Sequence, residues 1–209
     1  MNIKTLPVGY LESNCYVISD EKTLQCAIID PGDESNTILD YIESNRLTPV
    51  AILITHGHFD HIGALEEVQA QTGAPVYIHA AELGGTGRLS GKLDATPNLR
   101  TYAEGDTVAA GRLEFHVIET PGHTMGCVTL LIIDGETRAL FTGDTLFAGS
   151  CGRTDVGGDM DMMEASLRRL AALPGDYEVY PGHAESTTLE NERHFNYYIR
   201  HANGDFPNQ

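Results

Sequence analysis

The sequence predicts an α/β fold, on three observations. Short apolar runs alternate with stretches of helical pattern along the whole chain. Glycine and proline punctuate the junctions, as at Pro31-Gly32 and Pro174-Gly175. With 209 residues, 41% of them hydrophobic, the chain can bury one sizeable core without dividing. No linker, low-complexity tract or charge run marks a second unit, so one domain over residues 1–209 is expected.

The elements follow in order. Strands are expected at 15–18 and at 26–30, the second ended by Pro31-Gly32, and a helix at 35–44. A strand at 50–55 leads to a helix at 62–71, stopped by Gly73, and a further strand at 75–79. From 83 to 106 the glycines 84, 85, 87 and 91 and Pro97 leave little periodicity, which reads as a long surface loop. Gly84-Gly85-Thr86-Gly87 is no phosphate cradle on this reading, because no strand ends cleanly into it and no helix follows. Strands are then expected at 113–119, 128–133, 139–142 and 178–180. A helix at 161–173 has an acidic first turn and Arg168 and Arg169 near its end, as the helix dipole favours, and a last helix is expected at 187–201. Thr-Pro-Gly-His at 120–123 and Tyr-Pro-Gly-His at 180–183 echo one another, each after an apolar strand.

Charge excludes some partners. Thirteen Lys and Arg against thirty Asp and Glu leave a formal charge of −17, which repels phosphate backbones and anionic lipid, and Arg168-Arg169 is the only adjacent basic pair. No nucleic-acid or membrane partner is expected. Four cysteines without a C-x-x-C pair read as free thiols, and no secretory signal or long apolar span appears, so a cytoplasmic location is expected. A monomer or small homo-oligomer is expected.

The chemistry concentrates in histidine and aspartate. An apolar strand runs out into His56-Gly57-His58-Phe59-Asp60-His61. Imidazole and carboxylate together suit zinc, iron or manganese. Alternation along the strand lets His56 and His58 share one ion, while Asp60 and His61, beyond the turn, face a second. His123, Asp144 and His183 each follow a strand and a glycine that lets the backbone come close. Asp30 reads as a buried acceptor that orients the histidine loop. His79 reads as structural, His116 as solvated, His194 and His201 as surface or packing residues, and Cys151 as a packing thiol.

These motifs, with Asp30-Pro31-Gly32, Thr142-Gly143-Asp144 and Gly152-Arg153-Thr154-Asp155, resemble the metallo-β-lactamase superfamily over nearly the whole chain, and within it the short type II glyoxalase group. The resemblance implies an αββα sandwich of two mixed sheets with helices outside. It implies His56, His58 and His123 on one metal, Asp60, His61 and His183 on another, and Asp144 bridging them. Two divalent ions, zinc first and iron or manganese as alternatives, would then be the cofactors, with Asp60 and Asp144 counted as catalytic. Five imidazoles, two carboxylates and one hydroxide leave such a centre at about +1, and a zinc-activated water has a pKa of roughly 7.

The implied activity is hydrolysis of a small anionic thioester of the S-lactoylglutathione type. Asp144 argues against β-lactamases, which have cysteine or serine at that place. A related alternative is a persulfide dioxygenase with a single iron on two histidines and Asp144, and a third is a metal-binding module without catalysis. Arg153 is a candidate substrate contact through a bidentate carboxylate pair, with a salt bridge to Asp155 or Asp159 as the competing role. The helical C-terminal substrate domain of full-length type II glyoxalases is not expected, which puts glutathione recognition in question.

Overall fold

The structure is a computed structural model and describes residues 1–85, 89–91, 93 and 95–205. Thr86 and Gly87 of the Gly-Gly-Thr-Gly segment lie outside the described residues. The strand at the heart of the fold is Thr48–Ile54, with Ala51, Ile52, Leu53 and Ile54 all buried. Ala51 and Leu53 face one hydrophobic cluster and Ile52 and Ile54 another. A run buried on both faces belongs in a parallel sheet covered on both sides.

That sheet has six strands: β1 (Asn2–Val8), β2 (Ser13–Ser19), β3 (Gln25–Ile29), β4 (Thr48–Ile54), β5 (Val76–His79) and β6 (Leu99–Tyr102), in that spatial order. The first three pair antiparallel, and β3 to β6 run parallel. A second sheet contains β7 (Thr107–Ala110), β8 (Leu113–Glu119), β9 (Val128–Asp134) and β10 (Thr137–Gly143). After a ribbon of β11 (Leu146–Phe147) and β12 (Ser150–Cys151), it is completed by β13 (Glu178–Pro181), parallel to β10, and β14 (Thr187–Thr188).

Alternation in the strands divides the core into three layers. Between the sheets lie Ile18, Ile29 and Leu53 from the first and Phe115, Leu130 and Phe141 from the second. Outside the first sheet, Ile38 and Ile42 of α1 (Ser35–Ser44) and Leu65 and Val68 of α3 (Leu65–Thr72) cover Ile28 and Ile52, with the single turn α2 (Phe59–Ile62) before α3. Outside the second sheet, Met163, Leu167 and Leu170 of α4 (Met160–Ala171) pack on Leu140 and Val179. Two short helices, α5 (Leu189–Phe195) and α6 (Tyr197–Ala202), follow, and α6 adds Ile199 to that layer. This is the expected αββα sandwich. No helix among the described residues is long and apolar enough to cross a membrane.

Three expectations are corrected. The helix at 62–71 is two helices, because the Ala64 N–H donates to the Pro31 carbonyl (3.0 Å) and the chain bends there. The helix at 187–201 begins as β14 and breaks at buried Asn196, whose Oδ1 accepts from the Tyr198 and Ile199 N–H groups and starts α6. The loop at 83–106 contains β6, paired to β5 and anchored where the Tyr102 hydroxyl donates to the Ile54 carbonyl at 2.6 Å. Strand β1, not anticipated, is a sheet edge, where Pro7 is tolerated.

Candidate metal centre

Strand ends converge at one edge of the sandwich. Asp30 follows β3, His56 and His58 follow β4, His123 follows β8, Asp144 follows β10 and His183 follows β13. Asp60 and His61 lie on α2. The close approach of these segments depends on glycine. A Cβ on Gly182 would stand 2.2 Å from Asp144 Oδ1 and 2.8 Å from His61 Cε1, and one on Gly143, at φ +47°, 2.4 Å from Thr55 Oγ1.

The structure brings together all seven expected ligand residues, as two groups of three with Asp144 between them. His56, His58 and His123 form one, and Asp60, His61 and His183 the other, with the candidate ligand atoms of each group within 4.8 Å of one another. His58 Nδ1 and His123 Nε2 lie 2.9 Å apart. Asp60 Oδ2 is 3.2 Å from His183 Nε2 and 3.7 Å from His61 Nε2. Asp144 lies between the groups: Oδ1 is 3.4 Å from His61 Nε2, and Oδ2 is 3.4 Å from His123 Nε2 and 3.6 Å from His183 Nε2. These clusters could hold a dinuclear metal site.

The polar atoms left over fit that possibility. Among the described residues, buried side-chain atoms without a hydrogen-bond partner include His56 Nε2, His61 Nε2 and Asp144 Oδ1, all turned into the centre. A buried polar atom without a hydrogen bond is costly, and a cation bound among these three would offset that cost. The outward nitrogens are already held. Asp30 Oδ2 is 3.0 Å from His61 Nδ1, while its carboxylate accepts from the Thr55 N–H at 2.7 Å and hydroxyl at 2.6 Å. This is the orienting role expected of Asp30. His123 Nδ1 donates to the Arg153 carbonyl (2.6 Å), and His183 Nδ1 to the Leu11 carbonyl (3.2 Å). Such outer partners fix tautomer and ring direction.

Burial, reinforced by the other imidazoles, pushes the pKa of His56 well below the usual histidine range. Burial and then His123 take His58 down to about 4. Both therefore favour the neutral, metal-binding form. Burial also works against charge on His61 and His183, but the carboxylates outweigh it: Asp144 and Asp30 hold His61 well above the usual range, and Asp60 and Asp144 raise His183. Burial opposes ionisation of Asp60 and Asp144, yet the facing histidines keep both below the usual carboxylate range.

Other expected residues fall as follows. The Arg153 guanidinium makes a bidentate pair with Asp155, both contacts 2.6 Å, at an exposed position, so its link to the centre is its backbone carbonyl. Burial pushes the Cys151 thiol up to about 11, as suits a packing residue. His79 bonds Glu119 and the Ala81 N–H, and His116 is half-exposed beside Thr107. His201 pairs with Glu164 and His194 lies against Glu190, both at the surface.

Two supporting residues were not anticipated. Buried Glu82 accepts from the Gly57 N–H (2.7 Å), the Thr124 hydroxyl (2.7 Å) and the Gly126 N–H (2.8 Å), and so ties the His56–His58 loop to the His123 loop. It sits just before the stretch read as irregular, with no motif around it. Ser13 donates to Asp60 Oδ2 at 3.0 Å. It precedes the expected strand 15–18, and only the longer β2 places it at the centre.

Comparison with known proteins agrees with this arrangement. The profile of the metallo-β-lactamase superfamily matches residues 8–183. A probable metallo-hydrolase of Bacillus subtilis, YqgX, is 37% identical, covering 95% of this chain and 98% of that one. A hydroxyacylglutathione hydrolase of Rhodospirillum rubrum is 43% identical, covering 80% of this chain and 60% of that enzyme. Among solved structures, BLEG-1, described as a B3 metallo-β-lactamase, superposes with TM-score 0.82 at 34% identity, covering 95% of this chain and 99% of that one. TTHA1623 in a di-iron-bound form gives 0.80 at 35% identity, covering 93% and 99%. ETHE1 from Myxococcus xanthus gives 0.80 at 29% identity, covering 99% and 92%. The motifs, the sandwich and the converging strand ends thus have one origin, and the chain belongs to the metallo-β-lactamase superfamily.

Proposed function

We propose that the protein is a dinuclear metal hydrolase that cleaves small thioesters of the hydroxyacyl-thiol type. The observation that carries this is Asp144, whose two oxygens face different donor groups, Oδ1 toward His61 and Oδ2 toward His123 and His183. A carboxylate divided in this way fits two ions side by side. His56, His58 and His123 would hold one, Asp60, His61 and His183 the other, and Asp144 both. Bound divalent ions supply an activated water near neutral pH and polarise a carbonyl, with zinc, iron and manganese all compatible with these ligands. The di-iron form of TTHA1623 supports a two-ion centre without deciding the metal.

The chain's own residues prepare the site for this role. Asp30, the Arg153 carbonyl and the Leu11 carbonyl each occupy the outward nitrogen of a histidine, so the inward nitrogen of His61, His123 and His183 faces the other candidate ligands. Ser13 and His183 hold Asp60 from two sides. With the seven ligands assigned to metal, and Asp30 occupied by Thr55 and His61, this reading leaves no titratable side chain at the centre to protonate a leaving group. A thiolate leaves without a proton, since thiols ionise near pH 8.5, whereas an amide nitrogen needs one. That favours a thioester over a β-lactam or peptide. The likeness to the Rhodospirillum rubrum hydroxyacylglutathione hydrolase supports the same class. A small anionic substrate in the cytoplasm is part of this proposal, the cationic centre attracting the anion.

The second reading is a persulfide dioxygenase with one iron, favoured by the likeness to ETHE1 over 99% of the chain. Metal-loaded protein should release thiol from an S-lactoyl thioester. Persulfide-dependent oxygen uptake without thiol release would transfer the assignment to the dioxygenase, and β-lactam cleavage alone would transfer it to the lactamases.

A further inference from the structure

A cavity of about 330 Å³ opens beside the second donor group, bounded on that side by Ser13 and Asp60. Its other walls come from the β1–β2 turn, the loop after β3 and the start of α2. Three large apolar side chains stand out into water around it: Tyr10, 98% exposed, Leu11, 47%, and Phe59, 50%. A cluster of this kind marks a ligand surface more often than a scatter of single exposed residues does. Gly32 lets the loop after β3 pass close to α2, since a Cβ there would stand 1.9 Å from the Asp60 carbonyl oxygen. The wall also contains the exposed carboxylate of Asp33, and no lysine or arginine is among the described residues that line the cavity.

We propose that this cavity is the subsite for one arm of the substrate, and that it selects an apolar arm without negative charge. Tyr10, Leu11 and Phe59 supply the apolar contact, and Asp33 discriminates by repelling a carboxylate. The substrate anion of the proposed function therefore lies on the other arm or over the cationic centre. Selection of this kind acts through the partner it rejects. The inference rests on the hydrolase reading for the chemistry that takes place beside the cavity, while the binding itself is tested separately.

The test uses matched thioether analogues, which cannot be cleaved, and the corresponding thioesters, varied at either half to end in a methyl amide or a carboxylate. Binding of the thioethers to the metal-loaded protein is measured by calorimetry, and kcat/KM is measured for the thioesters. At one half of the molecule the amide arm should bind better than the carboxylate arm by about fivefold, and Asp33→Lys should cancel or reverse that ratio. Phe59→Ala should weaken the amide arm on the order of tenfold and so reduce the same preference. A ratio that Asp33→Lys leaves unchanged at both halves, or a preference for the carboxylate arm, overturns the proposal. Arm selection in the thioethers with no thioester cleaved would refute the hydrolase reading and leave the subsite standing.

Discussion

The two donor groups of the centre are built differently although they stand side by side. The first consists of three imidazoles, all buried, on loops that Glu82 joins from beneath. The second includes a carboxylate and opens toward solvent, with side chains 14% exposed at Asp60 and 24% at His183, and it leans on Ser13 and the Leu11 carbonyl of the N-terminal hairpin. One group is all imidazole and shielded, the other contains a carboxylate and lies beside the cavity. The difference teaches that this edge of the sandwich combines a buried, cross-tied half suited to retaining an ion with an accessible half suited to meeting substrate.

Four substitutions or titrations bear on that contrast, in falling order of effect. Asp144→Ala removes the oxygen pair shared by both groups, and should lower kcat/KM by more than about a hundredfold, beyond what an outer-sphere change costs. Loss of metal from both groups, followed by elemental analysis, should accompany it. Glu82→Ala should weaken metal binding at the imidazole group by roughly tenfold to a hundredfold and spare the other, as seen in cobalt spectra during titration. Equal weakening at both would remove the distinction. Ser13→Ala should act on the carboxylate group alone, by about tenfold or less, in the same titration.

The last is a pH effect on the metal-free protein. His61 and His183 have raised pKa values, so each keeps its proton to higher pH than an ordinary histidine, while His56 is lowered and His58 lies at about 4. A metal must displace those protons. Uptake at the Asp60, His61 and His183 group should therefore weaken first as pH falls, and uptake by the imidazole group should persist to lower pH. Histidine NMR titration of the metal-free protein, with metal uptake measured in parallel, checks the order.

Much of this was legible in the sequence, for physical reasons. The motif from His56 to His61 and the three later Gly-His and Gly-Asp junctions are local, and strand ends deliver their residues to one place. Strands β9 and β10 were legible as apolar runs because residues of both their faces reach cores, and β8 by its alternation, with Leu113, Phe115 and Val117 inward and Glu114 and His116 outward. The rest depended on tertiary contact. Glu82 matters through bonds to Gly57, Thr124 and Gly126, up to 44 positions away, which no spacing rule encodes. The break at Ala64 comes from a partner distant in sequence, Pro31, and the Asn196 cap is held in place by the Phe147 and Ser150 carbonyls, to which its amide donates. Strand β6 is short and partly exposed, and its identity depends on pairing with β5. At Arg153 two roles were open, and the side chain is paired with Asp155.

The measurement that bears most directly on the dinuclear hydrolase is a metal titration of the stripped protein, with thiol release from an S-lactoyl thioester recorded at each addition. Uptake of two ions per chain, with activity rising as the second binds and lost in Asp144→Ala, is the expected result. Saturation at a single iron, with persulfide-dependent oxygen uptake and no thiol release, would contradict it.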